Sequence, residues 1–87
     1  MKSKTTARFW RLFRRLPPDA QHRAYRAYAL WRAHPSAKSL NFKCVEPEEQ
    51  LYSVRIGMNY RALGVLEGDT VHWFWIGAHD EYERILA

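Results

Sequence analysis

The feature that most constrains this chain is a change of hydrophobic period near Leu40. Before it, apolar residues recur at helical spacing. After it, they alternate with a period of two. From Thr6 to Leu16, Phe9, Leu12, Phe13 and Leu16 fall at i, i+3, i+4 and i+7, one face of a helix, with Arg8, Arg11, Arg14 and Arg15 largely off it. Thr5 or Thr6 can cap its start. Pro17-Pro18 ends it, because the residue before a proline resists the α conformation. A second helix is predicted from Pro18 or Asp19 to Ala33, with Ala20, Ala24, Ala27, Tyr28 and Trp31 as its apolar stripe. The natural reading is two antiparallel helices joined at a Leu-Pro-Pro corner.

Beyond Leu40, strands are predicted at Leu40–Val45, Leu51–Gly57, Tyr60–Glu67 and Thr70–Ile76, and a short helix from Asp80 to Leu86. Gly57-Met58-Asn59 reads as a turn, and Gly68-Asp69 as a two-residue hairpin. The expected class is α+β. Two N-terminal helices pack on one face of a twisted antiparallel sheet of about four strands, followed by a short C-terminal helix. The opposite face of the sheet is partly open. At 87 residues, a single domain over 1–87 is expected.

Composition narrows the function. Hydrophobic residues make up 47% of the chain, which argues against disorder. Cys44 is the only cysteine, which excludes an internal disulfide or a Cys-based zinc site and fits a reducing compartment. No apolar run reaches the roughly 18 residues needed to span a bilayer, and MKSKTTARFWRLFRR is not a signal peptide. A cytoplasmic protein without a membrane partner is expected. The net charge of +5 is unevenly divided. Residues 1–43 carry eleven Lys/Arg against Asp19 alone, whereas residues 44–87 carry three Arg against eight acids. A half this basic either attracts polyanions, an acidic protein partner included, or is a well-solvated pair of helices.

Candidate chemistry gathers in the second half. Arg55 and Arg61 lie on adjacent strands and either clamp one phosphodiester or pair with acids such as Glu67 or Glu81. Lys43 can add charge to the same face. His79 stands where the last strand ends and suits proton transfer near neutral pH; its alternative role is structural. Tyr82, at i+3, either anchors the last helix with Ile85 and Leu86 or presents its hydroxyl. Asp80 and Glu83 read as an acidic capping box. His79 and Glu83 at i+4 are too few ligands for zinc, no HExxH is present, and neither a metal nor another cofactor is expected. His72, Trp73, Phe74, Trp75 and Ile76 read most simply as core strand residues; one of the sets Val71/Trp73/Trp75 and His72/Phe74/Ile76 must face away from the helices, where a Trp either packs or stacks on a base.

The run LYSVRIGMNYRALGVLEGDTVHWFWIGAHDEYERIL resembles the RelE/ParE superfamily of toxins from type II toxin–antitoxin pairs. The likeness rests on Tyr52-x-x-Arg55, a tight turn, Tyr60-Arg61, a hairpin, and an Ile-Gly-x-His…Tyr ending. Upstream, LPPDAQHRAYRAYALWRAHPSAKSLNFK resembles that family's helix pair. The His-containing ending is similar to HigB- and YoeB-like members. The resemblance implies two helices on a four-stranded antiparallel sheet. It also implies a metal-independent, ribosome-dependent mRNA endoribonuclease that inhibits translation, with a cognate antitoxin, the ribosome and mRNA as partners. By position, Arg55 matches a basic residue that contacts phosphate, and Arg61 the arginine that stabilises the transition state. His79 falls where RelE proper has another arginine, and Tyr82 matches a C-terminal tyrosine near the scissile group. Ser53 replaces a lysine of RelE proper. The glutamate base of YoeB-like members has only Glu46, Glu48 and Glu49 as loose candidates. ParE-like members share the fold, lack the ribonuclease set and poison DNA gyrase. A degenerate, non-toxic binding member is the remaining alternative.

Overall fold

A computed structural model describes residues 1–87. In chain order its elements are β1 (Lys2–Thr5), α1 (Ala7–Arg14), α2 (Pro18–Ala33), a 3₁₀ turn (Lys38–Leu40), β2 (Lys43–Glu46), β3 (Leu51–Ile56), β4 (Tyr60–Glu67), β5 (Thr70–Ala78) and α3 (His79–Leu86). The strands form one sheet in the order β1-β5-β4-β3-β2. It is an α+β structure, as expected, with β2 to β5 running as an antiparallel meander.

The fifth strand is the main departure. β1 pairs parallel with β5, Lys2 opposite Thr70 and Thr5 opposite Trp73. Its residues are polar and mostly exposed, so it has no apolar alternation to read. Hydrogen bonds hold it instead. The Lys2 amide donates to the Asp69 carbonyl at 2.8 Å and the Thr6 amide to the Trp73 carbonyl at 3.1 Å. The Ser3 hydroxyl lies 2.8 Å from the Tyr28 hydroxyl, and Trp10 Nε1 donates to Thr5 Oγ1 at 2.8 Å.

Thr6 caps α1, its Oγ1 accepting from the Phe9 amide at 3.1 Å. α2 runs from Pro18 to Ala33, with Ala20, Ala24 and Trp31 buried. The predicted strand at Leu40 starts only at Lys43. Asn41 takes a left-handed conformation (φ 44°), which ends the 3₁₀ turn and delays pairing. β4 has its predicted limits, while β5 runs two residues further, to Ala78.

The main core lies between the two N-terminal helices and the sheet. Phe13, Ala24, Trp31, Val54, Ile56, Ala62, Val71, Trp73 and Ile76 cluster there with Leu40. Trp31 meets Trp73 edge-on, ring centroids 5.4 Å apart.

Strict alternation along β5 would place Trp73 and Trp75 on one face. A bulge prevents this. Leu63 pairs with Trp75 and Gly64 with Trp73, so Phe74 is an extra residue in the strand. Trp73 joins the helix-side core, while Trp75 is carried with Leu63 to the other face. Both Trp rings are almost fully buried, so neither is offered to a base. The bulge also needs Gly64, where a Cβ would lie 2.6 Å from Val71 Cγ1 and 2.9 Å from Trp73 Cε3.

The second face is therefore not left open along its length. α3 crosses it, and Tyr82 donates to the Oγ of buried Ser53 at 3.2 Å. The third helix thus lies opposite the first two. No helix is long and apolar enough to cross a membrane.

Candidate phosphate-binding site

Sheet register builds this site. Gly57 opens the β3–β4 turn with φ +61°, a conformation glycine adopts without a Cβ penalty. That turn sets Arg55 directly opposite Arg61, and Arg61 in turn opposite Gly77 on β5. The next row on the same face is Lys43, Ser53, Leu63 and Trp75. Directly opposed side chains start about 5 Å apart, and Arg55 acts on the Arg61 guanidinium as a neighbouring like charge.

Neither arginine has a carboxylate partner within 4 Å. The ion pairs are Lys2–Asp69, His72–Glu67, His79–Asp80 and His79–Glu83. The pairing of Arg55 or Arg61 with Glu67 or Glu81, open at the level of sequence, is not realised. Glu67 is held by His72 at 3.1 Å instead. Burial pushes the Arg61 guanidinium below its usual range, and neighbouring Arg55 adds repulsion, while Tyr82 and Glu83 pull the other way. One Arg61 N–H is spent on the Tyr60 carbonyl at 2.8 Å. The rest are free for an anion.

α3 supplies the remaining groups. Its first amide, that of His79, donates to the Asn59 carbonyl at 2.8 Å, tying the helix start to the β3–β4 turn. Tyr82 lies one turn on. Its ring centroid is 5.9 Å from Arg61 Cζ and 6.2 Å from the His79 ring. Arg61, His79, Tyr82 and Ser53 therefore adjoin one another, with Arg55 across the strand pair. Lys43 is exposed and opposite Ser53, one row further from His79.

The expected capping box does not form. α3 begins at His79, its N-cap is Ala78, and no side chain bonds to its free amides. Because the helix starts one residue early, His79 is itself helical and the i+4 spacing brings Glu83 one turn on beside it, with Oε1 2.9 Å from His79 Nε2. Asp80 is 3.9 Å from Nδ1, too far for a hydrogen bond. Glu83 is thus a site residue that sequence spacing assigns to a cap. The His-x-x-x-Glu spacing carries the other signal, although by itself it reads as an incomplete metal pair. Glu46, Glu48 and Glu49 sit at the Leu51 end of β3, about 13 Å along the strand from Arg55.

Gly77 is a second site residue, marked in the sequence only by its place in the Ile-Gly-x-His ending. A Cβ there would lie 2.6 Å from Trp75 Cζ2. The Trp75 indole therefore lies along the Gly77 backbone and floors the site beside Arg61. No group of three His, Cys, Asp or Glu side chains comes together in a way that could hold a metal ion.

Residues 18–84 match the family described as the ParE-like toxin domain. No curated protein matches the sequence. Among solved structures, the fold is similar to that in the RelB–RelE antitoxin–toxin complex of Methanococcus jannaschii, with a TM-score of 0.73 and 17% identity over 95% of this chain and 98% of that one. A YoeB/ParE toxin from Agrobacterium tumefaciens gives 0.69 and 15% over 91% and 99%. The toxin–antitoxin complex RelBE2 of Mycobacterium tuberculosis gives 0.65 and 21% over 90% and 96%. At these identities the likeness is one of fold.

Proposed function

The chain belongs to the ParE-like toxin domain family, within the RelE/ParE superfamily of toxin–antitoxin toxins, and from that premise we propose that it is a metal-independent mRNA endoribonuclease acting in the cytoplasm on the ribosome. The observation that carries this reading is the unpaired Arg55–Arg61 couple beside a His79–Glu83 dyad. Two like charges held together without a counter-ion favour an anion between them, and a histidine held by a carboxylate nearby supports proton transfer as part of the reading.

In the proposed reaction the RNA's own 2′-oxygen attacks the adjacent phosphorus. The P–O2′ bond forms and the P–O5′ bond breaks, leaving a 2′,3′-cyclic phosphate and a 5′-hydroxyl. With Nε2–H directed at Glu83, His79 keeps an Nδ1 lone pair to take the 2′-hydroxyl proton. The Tyr82 hydroxyl gives its proton to the departing 5′-oxygen, and solvent restores both groups. Arg61 and Arg55 meet the negative charge that grows on the phosphoryl oxygens. A single such donor contributes about 10²–10³ in rate. Lys43 lends longer-range attraction. The basic N-terminal half holds ribosomal RNA through phosphate contacts, so binding weakens steeply as salt rises. A cognate antitoxin, like those in the archaeal and mycobacterial complexes, keeps the toxin inactive.

The test is primer extension on mRNA from cells induced for the wild type, Arg61→Ala and His79→Ala. Discrete cleavage in the wild type and about 10²-fold less in each variant is expected. Full toxicity of both variants while folded would sink the assignment. The ParE-like description of the matched family favours a second reading, gyrase inhibition without cleavage. In that case DNA replication stops before protein synthesis.

A further inference from the structure

Arg55 has a second set of neighbours. A depression of about 670 Å³ lies at the corner where α2, the 3₁₀ turn and the β3–β4 turn meet. Arg23 and Arg26 of α2, Arg55 of β3, Ser39, Gly57 and Met58 line it. All three arginines are exposed, and none lies within 4 Å of a carboxylate. Asp19, at i−4 from Arg23 on the same helix, forms no ion pair with it. Gly57 lies beside the Arg23 side chain. A Cβ at Gly57 would sit 3.7 Å from both Arg23 Cδ and Nη1. Beside it Met58 projects into solvent, 78% exposed.

We propose that this depression is a second phosphate subsite, holding a nucleotide next to the one at Arg61 and His79, with Arg55 shared between the two. The proposal rests on the ribonuclease reading above and deepens it, by giving the substrate strand a direction across the protein. Three cations from a helix and a strand repel one another unless an anion lies between them. Guanidinium groups suit a phosphate's oxygens in a way a single point charge does not. Continuity through Arg55 favours a polynucleotide strand, which carries a charge at every link, over an isolated anion. The flexible thioether of Met58 offers a soft apolar surface for the adjoining base.

The experiment uses the full chain and single-stranded DNA oligonucleotides, which lack the 2′-hydroxyl and are not cut. Binding of a dinucleotide and a hexanucleotide is measured over a range of NaCl concentrations. Compared are the wild type, Arg61→Ala, Arg23→Ala/Arg26→Ala, and Arg11→Ala/Arg14→Ala on α1. The Arg23/Arg26 double variant is expected to bind the hexanucleotide about tenfold more weakly, and its log–log salt slope should fall by about 0.7, the share of one neutralised phosphate on a single strand. Its dinucleotide binding should match the wild type, and the α1 variant should differ less on the hexanucleotide. If Arg61→Ala weakens both oligonucleotides but Arg23→Ala/Arg26→Ala changes neither affinity nor slope, the subsite is overturned and the ribonuclease reading stands. If none of the variants changes binding, both are overturned. If the Arg23/Arg26 variant loses affinity only for an acidic peptide, the depression is a protein-docking site and the proposal is wrong.

Discussion

Arg55 and Arg61 face each other across β3 and β4 with no counter-ion, so each should destabilise the other. A double-mutant cycle with Arg55→Gln, Arg61→Gln and the pair measures this directly. Like charges at directly opposed strand positions cost about 0.2–1 kcal/mol. For a chain of this length, 1 kcal/mol moves the midpoint by about 4–8 °C, so the coupling corresponds to roughly 1–8 °C in Tm. The single variants also forfeit other interactions, such as the Arg61 bond to the Tyr60 carbonyl. The cycle cancels those and isolates the repulsion. Thermal melts in low-salt chloride buffer should give an unfavourable coupling. It should fade in 1 M NaCl, where the screening length falls to about 3 Å. A pH scan would not show it. Burial and Arg55 lower the Arg61 pKa, so the cost is present throughout the neutral range and is relieved only as strong alkali removes the proton. Adding inorganic phosphate should reverse the sign of the effect. An anion at ten times its Kd stabilises the wild type by about 1.4 kcal/mol, and the double variant should show almost none of this. A coupling that is zero or favourable at low salt would refute the reasoning. It would mean that a carboxylate bridges the two arginines in solution, with Glu83 the nearest choice.

Three further outcomes are expected. On the proposed ribonuclease reading, Glu83→Gln keeps the helix but weakens the partner of His79, so cleavage should fall by about 10²-fold with an altered pH–rate profile, and unchanged cleavage would remove Glu83 from the site. Gly64→Ala forces a Cβ into Val71 and Trp73 and should cost about 1–3 kcal/mol, read as a lower urea midpoint; an unchanged midpoint would mean that the bulge at Phe74 adapts freely. Tyr28→Phe removes the bonds from Tyr28 to Ser3 and Arg32 and should raise amide exchange across Lys2–Thr5 by about 0.5–1.5 kcal/mol of opening free energy, leaving β4 protected. Ser3 and, more weakly, Arg32 hold the Tyr28 phenol below its usual range against desolvation. The stabilisation this adds is present in alkali and lost as pH falls through the folded value, so the wild type and Tyr28→Phe should diverge most at alkaline pH.

What local physics controls could be read from the chain alone. The 3.6-residue period and Pro17-Pro18 set α1 and α2 apart. The Gly68-Asp69 hairpin and the Gly57 turn fixed β4 between its true limits, and with it the opposition of Arg55 and Arg61. Each of these depends on residues within a turn or two of one another. The tertiary structure decided the rest. β1 has no apolar pattern, so only the edge of β5 and the Tyr28 hydroxyl give it a place. Trp73 and Trp75 read alike in an alternating strand, and the bulge that parts them answers to packing against Val71 and Trp31. His79 and Glu83 read as a strand end and a cap until α3 starts one residue early and crosses the second face. Periodicity leaves Arg23 and Arg26 of α2 for solvent or a partner, and only the corner of the sheet brings Arg55 beside them. Long-range juxtaposition carries no periodic signal, because it depends on where whole elements dock, and docking is settled by shape and burial over the entire core.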